Sequence, residues 1–450
     1  MANDTFEDTG EIKRKMNYNL DFMTTQDVRS DKIVKEYIVR ILDEFFIRYP
    51  QENVEAIVLA GGMSRGEASV RYDVSKEKFF IYSDFDFMIF LKEEADTLYA
   101  RIHFPLWARE IAGALRRENL CSHIDFGIFK SDFFLNIGPT MFSTEFKKTG
   151  KVILGKPDFL DRMPDLRLEE IPAYETLELF FNRIMGQLIF LPDLKSRNQN
   201  EVEFAIYHTG KIYLDLAGAI LILFRRYRVT YKEREEEFLK LFRDAQELGW
   251  LREKLPDMDK KIKIWTEFKL KPDFHLIFDE VPKDRDELER QGLSLWIEAV
   301  DYLKKVWLWA NNFYFFKKVV PSELDIRRIA KNYFKRTSLK NNFLYWYFLW
   351  KHPHINRKDW SFWRALTLSS KGPPRLLVNL TGVALLFIAP AVLGFSQTED
   401  KDLVERYLKF VHQHLPLFKG SPKAEIPERW EQYREAATYC WRLITKGGGE

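Results

Sequence analysis

The chain has 450 residues, 46% of them hydrophobic, enough for two or three domains with large cores, which excludes a disordered protein. Its 70 Lys and Arg against 67 Asp and Glu leave a formal net charge of +3, so no whole-molecule field draws it to nucleic acid or to a membrane, and any basic site must be local. The two cysteines, Cys121 and Cys440, lack a C-x-x-C spacing, which speaks against a disulfide framework or a zinc site and fits a reducing compartment. The N-terminal stretch MANDTFEDTGEIKRKMNYNL has no apolar core of the kind a secretory signal carries, so the expectation is a cytoplasmic protein with no membrane partner.

Residues 31–49 place apolar side chains at three- and four-residue spacing, the pattern of an amphipathic helix. VEAIVLAGG (54–62) is a short β-rich run ending in two glycines, as a strand entering a tight turn does. YSDFDFMIF (82–90) reads as a strand with Asp84 and Asp86 at its mouth; 98–118 reads as a helix, and SHIDFGIFK (122–130) as a strand with Asp125 in its middle. The first 160 or so residues therefore alternate helix and strand, an α/β unit. After GKVILGKPDFLDRMPDL (150–166) the strand signals mostly stop, and Pro157, Pro164 and Pro172 put a domain boundary near residue 165. Beyond it the spacing predicts helices over 174–191, 201–227, 232–248, 293–318, 323–335, 341–350, 376–394, 400–414 and 426–446, with 250–290, rich in Lys, Asp and Pro, as a loop or insertion. The expected architecture is an α/β (α+β) domain over 1–165 followed by a large all-helical domain over 166–450, with a possible division near 330. LLVNLTGVALLFIAPAVLGF (376–395) has the length of a membrane span, but Asn379, Thr381 and Pro390 favour a buried helix, or two short ones broken at Pro390.

Side chains two apart on a strand share a face, with α-carbons roughly 6.5–7 Å apart, so Asp84 and Asp86 point the same way and repel. Such repulsion raises a pKa unless cations lie between the groups, and two hard oxygen ligands at that spacing suit Mg²⁺ or Mn²⁺. Gly61 and Gly62 let backbone amides approach a phosphate, and Ser64 adds a hydroxyl where a helix can begin. Asp125, on a neighbouring strand, completes the cluster by deprotonating an acceptor hydroxyl or binding a second metal. Asp132 lies in KSDFF, which reads as a turn, so strand placement favours Asp125. Phosphoryl and nucleotidyl transfer use such a set, because one metal activates the attacking oxygen and the other neutralises the departing pyrophosphate. Glu67 and Asp73 fit no such pattern and read as solvated, whereas Arg65 can reach a phosphate or pair with Glu67.

At Gly61-Gly62-Met63-Ser64, Ser83-Asp84-Phe85-Asp86-Phe87 and Ile124-Asp125-Phe126 the chain resembles the DNA polymerase β-like nucleotidyltransferase superfamily. The SRGEAS…YSDFDFMIFL wording is especially similar to bacterial and archaeal, template-independent members with Arg-Gly-Glu after the glycine turn. The resemblance covers about residues 50–160 closely and the following helices loosely. It implies an enzyme that moves NMP from an NTP to an acceptor hydroxyl with two Mg²⁺ or Mn²⁺ ions. The acceptor stays open among small molecules, nucleotides, proteins and RNA ends. Synthesis of short or cyclic signalling oligonucleotides, and nucleotide sensing without turnover, are the alternatives. The family usually has about a dozen residues between the glycines and the first aspartate, whereas twenty-one separate Gly62 from Asp84 here. VRYDVSKEKFFIY (70–82) is the apparent insertion, expected to be an extra hairpin, with Lys76 and Lys78 as phosphate contacts or solvated turn residues.

TEFKKTGKVILG (144–155) resembles a segment that follows the catalytic strands in related members and flanks the acceptor or the base. Lys211 stands in an almost wholly apolar helix and needs a partner, either Asp215 one turn on or, as the resemblance implies, the β- and γ-phosphates across an interdomain cleft. Tyr231 either stacks on a base or packs. KNYFKRTSLKNNFLYWYFLWKHPHINRKDWSFWRAL (331–366) interleaves eleven aromatics with Lys and Arg, an RNA face or, more simply in a chain that is 15% aromatic, helix core. The paired histidines in HPH (352–354) and HQH (412–414) have poor ligand geometry on a helix and are assigned no metal.

Overall fold

A computed structural model of the chain describes residues 17–73, 77–118, 120–121, 123–317, 374–395, 401–415 and 424–445. Lys76, the expected helices 323–335 and 341–350, and the stretch 331–366 lie outside the described residues.

Val34, Ile38, Ile41, Leu42 and Phe45 recur at helical spacing along α1 (Val28–Arg48), and all are fully buried. Asp27 starts the helix as N-cap, its carboxylate accepting from the Ser30 amide at 2.7 Å. That apolar stripe packs on a mixed four-stranded sheet of β1 (Val54–Leu59), β4 (Phe85–Leu91), β6 (Ile124–Lys130) and β7 (Lys151–Leu154), ordered β6-β4-β1-β7. Strand β1 is antiparallel to β4 and to β7, whereas β4 and β6 are parallel and are joined by the crossover helix α3 (Thr97–Glu118). Alternation along β4 sends Phe85, Phe87, Ile89 and Leu91 into the core beneath α1 and α3. Met88 and Phe90 face the other side, against Phe146 of α4 (Met141–Thr149). Asp86 belongs to this second face.

The 70–82 insertion forms the expected hairpin, β2 (Val70–Asp73) antiparallel to β3 (Lys78–Ile81), and β3 pairs in parallel with β5 (Leu120–Cys121) in a second, three-stranded sheet. Phe80 and Tyr82 join the large core of the helical region, so the hairpin packs across to that region.

Among the described residues no strand follows Leu154. Helix α6 (Gln199–Leu223) is apolar all round because it is enclosed by α5 (Glu175–Phe190), α7 (Tyr231–Asp244), α9 (Met258–Leu270) and α10 (Arg285–Phe316). The segment expected as a loop over 250–290 is instead largely helical: α8 (Gly249–Lys254), α9, and the start of α10. Met258, Ile262, Trp265 and Phe268 form a buried stripe on α9 that its interspersed Lys, Asp and Glu mask in a compositional reading. Asp284, whose side chain accepts from the Glu287 amide at 2.8 Å, caps α10, which starts eight residues before the predicted 293 through two largely polar turns where Leu288 is the one buried apolar side chain. The helix expected over 376–394 is one helix, α11 (Pro374–Val392), which ends two residues early; Pro390 falls in its last turn and so does not break it. Helices α12 (Lys401–His414) and α13 (Ile426–Thr445) close over α11. Among the described residues two helices are long and apolar enough to cross a membrane, and 89% of the apolar window of α6 and 78% of that of α11 are buried inside the protein.

Candidate active site

The parallel register of β4 and β6 pairs Asp86 directly with Asp125, and Asp84 immediately precedes β4, so all three carboxylates meet at one end of two adjacent strands. Asp125 sits at the second position of β6 rather than mid-strand, which brings it level with Asp86 at the strand mouth. Beside them, the chain leaves β1 through α2 (Gly61–Ser64), with the Ala60 amide donating to the Asp86 carbonyl at 2.9 Å. Gly61 has φ +68°, and a β-carbon there would lie 2.1 Å from Asp86 Oδ2. Only glycine lets the turn approach the carboxylate this closely. Ser64 is buried, and its hydroxyl donates to the Gly61 carbonyl at 3.0 Å, which closes the turn. A cavity of about 190 Å³ opens next to Asp86, between Gly61, Met88, Phe142 and Phe146.

Gly61→Ala should therefore drive the Asp86 carboxylate off its position, lowering any activity that depends on it by roughly 10²-fold and costing about 1–3 kcal/mol of stability. Gly62→Ala meets the Glu67 carbonyl at 3.4 Å and should be far milder. Equal losses in the two variants, measured by turnover and thermal melting, would refute the close approach as the cause.

Burial, and then the charges of Asp84 and Asp125, push the Asp86 carboxyl up from 3.8 to about 7. The folded protein thus holds this proton to higher pH than the unfolded chain does, so stability is lost as pH rises from about 4 to about 7, by roughly 2–4 kcal/mol for a partly buried group. Asp86→Asn should remove that part of the pH dependence, checked by urea midpoints across the range; parallel curves for parent and variant would contradict it.

His123 Nε2 lies 3.0 Å from Asp125 Oδ1, a contact that sequence reasoning missed although position i−2 on a strand shares the face of Asp125. Lys211 reaches out of α6 to Asp84, Nζ to Oδ2 3.5 Å. Asp215 is not its partner: Arg183 of α5 takes that carboxylate, Nη2 to Oδ2 2.6 Å. Burial works against the Lys211 charge, but Asp84 and Tyr207 outweigh it and raise its pKa.

Arg65 does not reach outward. It is buried, donating to Glu67 Oε2 at 2.9 Å and to Glu145 Oε2 at 2.8 Å. Glu67, expected to be solvated, is buried because Arg65 and the Tyr231 amide, 2.7 Å from its Oε1, satisfy it. Asp73 is likewise drawn in, 3.8 Å from Arg71 Nη1, while Lys78 is exposed. Tyr231 opens α7 and its ring packs among Arg234 at 4.9 Å, Arg65 at 5.3 Å and Lys269 at 5.4 Å. Glu145, Arg234 and Lys269 are further residues the sequence reading did not single out; Lys269 fell in the segment taken for a loop. Glu145 also accepts from Tyr227 and Arg234, tying α4 to the helical region.

Among the described residues no three His, Cys, Asp or Glu side chains close into a ready cage for an ion. The donor chemistry still fits a hard dication: Asp86, pushed up to about 7 by burial and then by its carboxylate neighbours, would be relieved by a cation, and phosphate oxygens and water can complete an oxygen shell.

No protein-family model, no curated protein and no solved structure matches this chain. The class is therefore set by geometry alone: a mixed α/β sheet joined to a helical region, with three carboxylates and a glycine turn at one sheet end and a lysine of the helical region reaching into them.

Proposed function

We propose that the protein is a metal-dependent nucleotidyltransferase that moves NMP from an NTP to an acceptor hydroxyl and releases pyrophosphate. The observation that carries this reading is the close approach of Gly61 to Asp86, with Asp84 and Asp125 on the neighbouring backbone. Bound at Asp84, Asp86 and Asp125, Mg²⁺ or Mn²⁺ supplies charge stabilisation at the attacking and departing oxygens. The Gly61–Gly62 turn admits the phosphates to the backbone, and Lys211, one salt bridge away from Asp84, neutralises departing charge. Asp125 accepts the acceptor's proton as its oxygen bonds to the α-phosphorus and the bond to the pyrophosphate oxygen breaks, with His123 orienting the carboxylate. Three acidic residues on a two-strand platform favour transfer over nucleotide sensing, which needs no base.

The purified protein should release pyrophosphate from at least one labelled NTP with Mg²⁺ or Mn²⁺ when supplied with nucleotides, sugars, and RNA and protein fractions as acceptors. No metal-dependent release from any of the NTPs would overturn the reading.

A further inference from the structure

Around the glycine turn, the buried cations described above have carboxylate partners with one exception. Arg65 has Glu67 and Glu145, Arg234 has Glu145, Arg71 has Glu203, and Lys211 has Asp84. Lys269 of α9, 4% exposed, instead donates to three neutral oxygens: the Glu67 carbonyl at 3.1 Å, Ser69 Oγ at 2.7 Å and Ser83 Oγ at 3.1 Å. Those acceptors use the three protons of an ammonium, and among the described residues no carboxylate pairs with its charge, which is costly away from water. Its Nζ lies 3.6 Å from where a β-carbon would stand on Gly62, directly beside the turn. Tyr207, packed against both lysines, registers the field: burial alone would raise its phenol pKa, yet Lys269 and Lys211 bring it below its ordinary value.

We propose that Lys269 is a positioning residue for the triphosphate, a fixed positive charge beside the Gly61–Gly62 turn whose counter-ion is the substrate. The inference rests on the nucleotidyltransferase reading and adds to it a residue 200 positions from Ser69 in sequence. The clasp runs both ways, since Ser69 Oγ also donates to the Lys269 carbonyl at 2.5 Å. The charge is therefore held against the segment leaving the turn, and the lysine acts on phosphate through its field with its donors already engaged.

The test measures binding of inorganic tripolyphosphate with Mg²⁺ by calorimetry, which does not depend on the base or on the acceptor. Lys269→Met should bind it roughly tenfold more weakly than the parent, as expected for loss of one unit charge near the site. With NTP the same variant should show a raised KM and a kcat within about threefold of the parent. Because Lys269→Met can fail to fold, Ser83→Asp and Ser83→Asn form a second pair. Both keep an acceptor for Lys269, but only the aspartate neutralises it, so Ser83→Asp should bind tripolyphosphate about tenfold more weakly than Ser83→Asn. A folded Lys269→Met with affinity within twofold of the parent, or equal affinities in the two Ser83 variants, would reduce Lys269 to a structural pin and overturn the proposal. A parent protein that binds neither tripolyphosphate nor any NTP would instead remove the nucleotidyltransferase reading on which it rests.

Discussion

Asp86→Ala and Asp84→Ala should each lower NMP transfer by about 10³-fold or more and leave the fold intact. Asp86 is the central carboxylate, level with Asp125 in the strand register, preceded by Asp84 and approached by the glycine turn. No other described side chain takes over its position, because Met88 and Phe90 continue the same face as core. Removing a carboxyl that burial, and then its carboxylate neighbours, push up to about 7 also relieves desolvation and repulsion, so Asp86→Ala should melt at or above the parent temperature at pH 8. Loss of activity with unchanged or raised stability separates a chemical role from a structural one. Transfer at the parental rate in either variant would end the assignment of this site.

Glu145→Ala should have the largest effect on stability, about 3–5 kcal/mol, measured by urea denaturation. Its Oε2 accepts from Arg65, and its other oxygen accepts from Tyr227 and Arg234. Arg65 and Arg234 are 5% and 8% exposed, so truncation strands two guanidinium groups where water does not compensate them. Arg65 would keep Glu67, but Glu67 also serves the Tyr231 amide, and the network joins α2, α4 and α7. A loss under about 1 kcal/mol would mean that water or repacking satisfies the arginines, and that this network does not hold the sheet against the helices.

Much of the sheet and of the acidic cluster was legible because the signals are local. A period of two, with phenylalanines alternating around Asp84 and Asp86, specifies both a strand and the face its carboxylates share. A strand ending in Gly61-Gly62 specifies a turn, and the 70–82 segment, with two β-rich halves around a polar middle, specified a hairpin. Helix α9 was not legible in composition. Its buried stripe of Met258, Ile262, Trp265 and Phe268 is spaced correctly, but the charged residues between outnumber it, and only enclosure by α6 and α7 makes that face a core.

The sequence by itself determined which residues make up the candidate cluster: two aspartates on one strand face, a third on a later strand, and a glycine turn before them, each set by short-range backbone geometry. Only the tertiary structure decided how the cations are distributed among them. Spacing offered Lys211 the carboxylate of Asp215, four residues on along α6, but Arg183 of α5 holds that group in a closer contact and frees Lys211 to reach Asp84. Arg65 was open to phosphate or to Glu67 by sequence; burial between Glu67 and Glu145 commits it to the fold. Lys269, 200 residues from Ser69, arrives beside the turn only because α9 docks there. Choices of this kind depend on which charges are buried together, and a buried charge is stabilised by whatever partner the packed chain brings within a few ångströms, at any distance in sequence.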